Sequence, residues 1–337
     1  MDTKWSKTST GKKASKKAGA NFAETLVEAC TRLLGEARSV HLCQERLAAL
    51  SEALSHETGT HWLAAAPAAL GERLAALSLP EAATWLTVFH TIGFCYWAEP
   101  RWRITYQGKV YDGSLALALR LFENDKQLSP SSLKSLSLPQ FKAVLGGENE
   151  LCLLSERFSL LKQMAALLEK DETLDRLLCV ESALSKVEFI AGLPGFDDIF
   201  QWQNLCFPFL KRAQLLTADL HYLLKLKCTG QLSDIDSLTA FADYKLPQIL
   251  QASGAIVYSD ELIEKIVSRY EFASGCLEEL EIRAATIMAV EAIKANLKER
   301  KIQLSAAQID NQLWLRSQNK SLKTTALPYH RVMSIYY

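Results

Sequence analysis

Two short blocks place charges inside otherwise apolar runs: Phe209-Leu-Lys-Arg-Ala-Gln-Leu-Leu-Thr-Ala-Asp219 and Phe241-Ala-Asp-Tyr-Lys-Leu-Pro-Gln248. Wound as a helix, the first aligns Arg212, Leu215, Leu216, Asp219, Leu223 and Leu226 on one stripe at i, i+3, i+4, i+7 spacing. That stripe is mostly apolar and is expected to face inward. A charge turned inward is costly unless it is paired or lines a pocket. Asp219, two turns from Arg212, therefore marks either a structural ion pair or a polar cavity, and the two readings weigh about evenly. Lys211 and Gln214 flank the stripe and are within reach of the same space.

Asp243 precedes a helix whose first turn holds Pro247, so spacing alone puts an N-cap role ahead of catalysis. Phe241 and Tyr244 beside it are candidate aromatic walls for a planar ligand. The segment Leu277–Glu291 is apolar all round from Ala284 to Val290, apart from Thr286. That makes a central helix, with Glu281, Arg283 and Glu291 as salt bridges at its rim. Phe94, Tyr96 and Trp97, with Trp102, Tyr106 and Tyr111, read first as core. The aromatic run Tyr329–Tyr337 is expected to dock on the body, carrying His330 and Arg331 with it. A Gly-rich phosphate loop, an HExxH and a GxSxG are all absent from the sequence. The six histidines show no metal-ligand spacing, so neither a metal nor another cofactor is expected.

The elements that must hold these residues are helical from Asn21 onward. Periodicity predicts a first helix from Asn21 to about Gly35 and others at 41–54, 60–77, 80–91, 113–124, 138–145, 150–169 and 172–189. After the break Gly192-Leu-Pro-Gly195 they continue at 207–228, 244–253, 259–268, 275–299 and 304–318. One stretch alternates instead: Trp102-Arg-Ile-Thr-Tyr-Gln-Gly-Lys-Val-Tyr111 reads as a β-hairpin turning at Gln107-Gly108. The expectation is a mainly α, single domain over 21–337, with a small β-hairpin, behind a disordered basic tail at 1–20.

Of 337 residues 49% are apolar, enough for a sizeable core, and no run approaches the roughly 18 apolar residues of a membrane span. The lysine-rich start lacks the apolar stretch of a secretory signal, which favours a cytoplasmic location. Eight scattered cysteines without a CxxC pair read as buried free thiols in a reducing compartment. Formal charge is zero, but residues 1–17 carry six lysines against Asp2, a net +5. The remaining 32 basic and 37 acidic residues leave the body at −5, a poor grip for a polyanion. No stable nucleic-acid binding is expected, and a monomer is the simplest assembly.

Ile92-Gly-Phe-Cys-Tyr-Trp97, Phe209-Leu-Lys-Arg-Ala-Gln214 with Ala218-Asp219, Phe241-Ala-Asp-Tyr-Lys-Leu-Pro-Gln248, Glu281-Ile-Arg283 and Ile335-Tyr-Tyr337 together resemble the queuosine salvage proteins, the queuosine 5′-phosphate N-glycosidase/hydrolases. The similarity runs in order from about Phe22 to Tyr337. It implies a helical fold akin to helix-hairpin-helix DNA glycosylases and hydrolysis of queuosine 5′-monophosphate, releasing queuine for reinsertion into tRNA. By the same resemblance Asp243 is the catalytic aspartate and Lys211 its active-site neighbour, while Asp219, Phe94, Trp97 and Tyr244 line the pocket. Lys211, Arg283, His330 and Arg331 are the candidate cations for the 5′-phosphate. One departure stands out: Tyr111-Asp-Gly-Ser-Leu-Ala-Leu117 lacks the Tyr-Trp pair of the family's Tyr-x-Gly-Tyr-Trp-Ser-Leu.

These residue types suit the reaction. A carboxylate beneath the ring stabilises an oxocarbenium-like sugar and directs water to it. A 7-deazaguanine lacks N7, so its departure calls for hydrogen bonds to the leaving base from a group such as protonated Asp219, backbone N–H or water. Two rivals remain: a glycosylase acting on a base within DNA or RNA, which needs a basic face outside the tail, and a non-enzymatic helical adaptor whose buried charges are structural.

Overall fold

The computed structural model describes residues 21–57, 60–66, 69–318 and 326–337; the expected tail at 1–20 lies outside the described residues. The chain starts with α1 (Phe22–Glu36), closed at its N-terminus by a capping box between Asn21 and Glu24. A box of this kind satisfies two orphan backbone groups and is worth about 1 kcal/mol. Next come β1 (Val40–Leu42), α2 (Gln44–Leu54), α3 (Trp62–Ala65), α4 (Leu70–Ala76) and α5 (Leu79–Ile92), the last with a Ser78–Glu81 box and Pro80 in its first turn. β2 (Arg103–Tyr106) and β3 (Lys109–Asp112) make the expected hairpin, with Gln107 and Gly108 at φ 46° and 74°.

Five helices follow, α6 (Gly113–Glu123), α7 (Pro130–Ser135), α8 (Leu138–Leu145), α9 (Leu154–Leu168) and α10 (Asp171–Cys179), and then α11 (Ala183–Ala191). A second hairpin, β4 (Ile199–Trp202) with β5 (Leu205–Pro208), leads into α12 (Lys211–Leu226) and α13 (Lys245–Ala252). β6 (Ile256–Tyr258), α14 (Asp260–Val267), β7 (Glu271–Phe272), α15 (Leu277–Glu299), α16 (Ala306–Ser317) and β8 (Arg331–Val332) complete the described chain. The fold is mainly helical, and every described sheet has two strands.

Several expected helices prove shorter or divided. The helix expected over 60–77 is α3 and α4, because Ala66, which precedes Pro67, is extended at φ −67°, ψ 145°. The one expected over 172–189 breaks where Val180 turns extended and Ser182 caps α11. The one expected from 207 begins at Lys211, since Phe207 and Pro208 belong to β5 and Leu210 is left-handed at φ 46°. β1 pairs with β6, and β7 runs parallel to β8; both pairings join distant segments that local patterns do not connect. The docked run 329–337 behaves as expected, with Val332 and Tyr337 buried. The cysteines do not: only Cys30 and Cys95 are buried, while Cys179 and Cys228 are exposed.

Two apolar clusters form the core. One gathers α5, α6, α9, α11 and α12, and the other packs α1, α2, α13 and α16 around α15. α15 is buried on all sides from Glu279 to Ile287, so Glu281 and Arg283, expected at the rim, lie inside the core instead.

Candidate active site

A cavity of about 890 Å³ is walled from both clusters, by Trp62, Phe89 and Phe241 on one side and Phe94, Tyr244 and Leu246 on the other. α12 runs along it, presenting Lys211, Leu215, Asp219, Tyr222 and Leu226. The adjoining face of the same helix, Arg212, Leu216, Leu220 and Leu223, is buried in protein instead. The stripe read from the sequence thus spans two faces. Arg212 does not reach the cavity; it donates to the carbonyls of His90, Thr91 and Gly195. Gln214 is a latch, bonded to Phe209 O at 2.8 Å and to Thr239.

At one end of the cavity Asp243 stands just before α13. Its Oδ1 accepts the backbone N–H groups of Lys245 (2.7 Å) and Leu246 (3.1 Å), while Oδ2 lies 3.5 Å from Lys211 Nζ. The capping reading of this residue therefore holds, and the side chain also borders the cavity. One oxygen caps the helix and fixes the carboxylate, and the other faces a cation on the cavity wall. Exposure is 7% for Asp243 and 8% for Lys211, so their interaction is largely shielded from bulk water.

A second carboxyl borders the same space. Asp310 on α16 accepts the Phe241 N–H at Oδ2 (2.7 Å), and among the described residues its Oδ1 has no hydrogen-bond partner. Burial, with the nearby Asp243 charge adding to it, pushes this carboxyl up to about 8. Asp310 therefore holds its proton more tightly than an ordinary aspartate, beside an Asp243 carboxyl bonded to N–H and ammonium donors.

About 12 Å along α12 from Lys211, at 1.5 Å per residue, Asp219 forms the other polar station. Oδ1 takes Trp62 Nε1 (2.9 Å) and lies 3.2 Å from His61 Nε2; Oδ2 takes His90 Nε2 (2.7 Å). His61 Nδ1 accepts the Leu63 N–H, which leaves the ring proton on Nε2, toward Asp219. Burial pushes the Asp219 carboxyl upward, but the hydrogen bonds of His61 and His90 outweigh it and hold the group well below the usual carboxylate range. Asp219 is thus ionised, not protonated as expected at this position, and Asp310 is the carboxyl on the wall whose proton is held more tightly. Burial in turn lowers His90.

The remaining expected residues divide. Phe94 and Tyr244 are on the wall. Trp97, Arg283 and His330 are buried but border other groups. Trp97 Nε1 donates to Val332 O (3.0 Å), fastening β8. Arg283 is paired with Asp198, and Arg331 with Glu99 at 3.0 Å. His330 packs 6.3 Å from Tyr337 and is lowered to about 4, chiefly by burial. Wall residues that the sequence reading passed over include His61, His90 and Asp310, with Lys225 and Lys245 as further cations. Asp310 and His90 carried the same signal as Asp219, a polar residue within a buried apolar stripe.

The sequence pattern described as queuosine salvage protein matches residues 75–337. The chain belongs to the queuosine salvage family. A Sphaerobacter thermophilus protein named queuosine 5′-phosphate N-glycosylase/hydrolase is 36% identical over 264 residues, covering 76% of this chain and 81% of that protein. Proteins of the same name from Bos taurus and Mus musculus are each 30% identical, over 278 and 274 residues, covering 76% and 75% of this chain and 82% and 81% of theirs. The family match takes in His90, Lys211, Asp219, Asp243 and Asp310 and leaves out His61 and Trp62. Ser114, in the segment after the hairpin, forms part of the cavity wall. Among the described residues no group of three or more His, Cys, Asp or Glu is placed to hold a metal, and no helix is long and apolar enough to cross a membrane.

Proposed function

We propose that this protein hydrolyses the N-glycosidic bond of queuosine 5′-phosphate and releases queuine, the activity in the name of its relatives. The observation that carries the residue assignment is the 3.5 Å approach of Lys211 Nζ to Asp243 Oδ2 on the wall of a nucleotide-sized cavity. Asp243 lies beneath the sugar carbon, where its carboxylate stabilises the oxocarbenium-like charge and orients the attacking water. The two N–H bonds to Oδ1 hold it in place, so little reorganisation is needed as that charge develops. Asp310, holding its proton more tightly than an ordinary aspartate, donates a hydrogen bond to the departing 7-deazaguanine. Tyr244, Phe94 and Phe241 offer faces for stacking the base.

For the 5′-phosphate we assign Lys225 and Lys245, which border the cavity, ahead of Arg283, His330 and Arg331, which do not. The substrate is a free nucleotide and the working unit a monomer; the body's −5 charge argues against a polynucleotide. Eight free thiols suit a cytoplasmic setting. The test is incubation of the pure protein with queuosine 5′-monophosphate, the nucleoside and queuosine-containing tRNA, followed by chromatography for queuine. Release chiefly from the nucleotide is expected. Release chiefly from tRNA would move the protein to the polynucleotide glycosylases, and no release from any of the three would end the assignment.

A further inference from the structure

Lys211 and Asp243 come from segments 32 positions apart, and two side chains 3.5 Å from each other cannot by themselves hold two backbones in register. Behind them, away from the cavity, lies a second pair. Arg283 donates Nη1 to Asp198 Oδ1 (2.9 Å) and Nη2 to Asp198 Oδ2 (2.6 Å), a bidentate fork of fixed geometry. The same Oδ2 accepts the backbone N–H of Lys211 (3.1 Å), and Arg283 Nε reaches the carbonyl of Ala242 (3.2 Å). An unbroken hydrogen-bonded path therefore runs from the backbone of Lys211 through one carboxylate and one guanidinium to the residue before Asp243. The guanidinium is also held over the ring of Phe209, 3.8 Å from its centre. Exposure is 1% at Asp198 and 0% at Arg283, and neither residue lines the cavity.

We propose that Asp198 and Arg283 are positioning residues, a buried clamp that sets the separation between Lys211 and Asp243 for the glycosidic step. The inference rests on reading Lys211 and Asp243 as the reacting pair. A purely structural ion pair changes how many molecules fold. A clamp also changes what each folded molecule does, and because neither residue itself lines the cavity its effect is expected on kcat more than on KM.

The experiment uses Asp198→Glu, Arg283→Lys and the double variant, with kcat and KM for queuosine 5′-monophosphate, Tm, and a crystal structure of each soluble protein. In the single variants kcat is expected to fall about 10²-fold while KM stays within about threefold, the cost of roughly 1 Å of misplacement. The double variant re-forms the charge pair and recovers Tm, yet kcat stays low, because a lysine head that meets the longer carboxylate has no second arm for Ala242 O. Crystals are expected to show a longer Lys211–Asp243 distance. Should the single variants be insoluble, the double variant carries the test alone. A kcat within threefold of wild type, or one that recovers in step with Tm, overturns the clamp, as does an unchanged distance. If the unmodified protein releases no base, the functional reading fails separately, and the crystallographic distance then decides the clamp.

Discussion

Lys211 and Arg212 are neighbours in the first turn of α12, both almost fully buried, and they serve two different regions of the molecule. Arg212 faces the end of α5. Together with Arg157 it donates to the carbonyls of His90, Thr91 and Ile92, which the helix end leaves without partners, and to those of Phe94 and Cys95 just beyond it. Two cations at a helix C-terminus also complement its dipole. This is a frame, in which buried charge meets backbone acceptors. Lys211, Asp243, Asp219, Asp310 and the two histidines form a wall, where titratable side chains border open space. Burial alone does not separate the two regions; whether a buried group borders the cavity does.

The strongest test of that division is Asp243→Asn. Asparagine keeps an oxygen for the Lys245 and Leu246 N–H groups, so Tm should barely move, while kcat/KM falls on the order of 10³-fold. Near-native turnover by this variant would remove Asp243 from the wall's chemistry. The adjacent pair gives the direct contrast. Arg212→Met strands three carbonyls and should cost about 3 kcal/mol in denaturant unfolding, with turnover per folded molecule within a few-fold of wild type. Lys211→Met should reverse the pattern, with stability nearly intact and kcat reduced by about 10²-fold. Equal effects from the two would collapse the distinction between frame and wall.

A pH series sharpens it further. The folded Asp310 carboxyl sits at about 8, above the ordinary aspartate value, so between roughly pH 4 and 8 the folded protein holds a proton that the unfolded chain lacks. Its contribution to stability is therefore fully present below about pH 4 and is lost as pH rises through 8, by at most about 1.4 kcal/mol per unit. Asp310→Asn should flatten this slope in thermal melts and remove the fall in kcat/KM above pH 8. The smallest effect is expected from Ser114→Tyr, which narrows the wall without touching charge. KM should change a few-fold while stability and kcat hold, as measured in steady-state assays.

The blocks carrying Lys211 and Asp243 and the helix after Asp243 were legible in the sequence, whereas the β-strand and left-handed turn that delay the start of α12 to Lys211 were not. Nor was the split between Lys211 and Arg212. Successive helical residues differ by 100°, and which neighbour meets a void depends on what packs opposite. Trp97 and Arg283 lie in recognisable blocks, but their contacts, Val332 O and Asp198, come from remote strands and loops. Asp310 and His90 were readable in principle as polar residues in apolar stripes. The β1–β6 and β7–β8 pairings had no local signal at all, since each joins segments whose meeting only the finished packing decides.

α12 has one more property with consequences for substrate choice. Lys211 and Asp219 stand on a single unbroken rod, so the gap between the two polar stations is a ruler that no loop movement can lengthen. Swapping bulk along its graduations, at Leu215 or Ala218, retunes which ligand fits without disturbing either end. Inserting one residue between them would swing Asp219 off the cavity and into the hydrocarbon interior, so the gauge tolerates substitution far better than insertion.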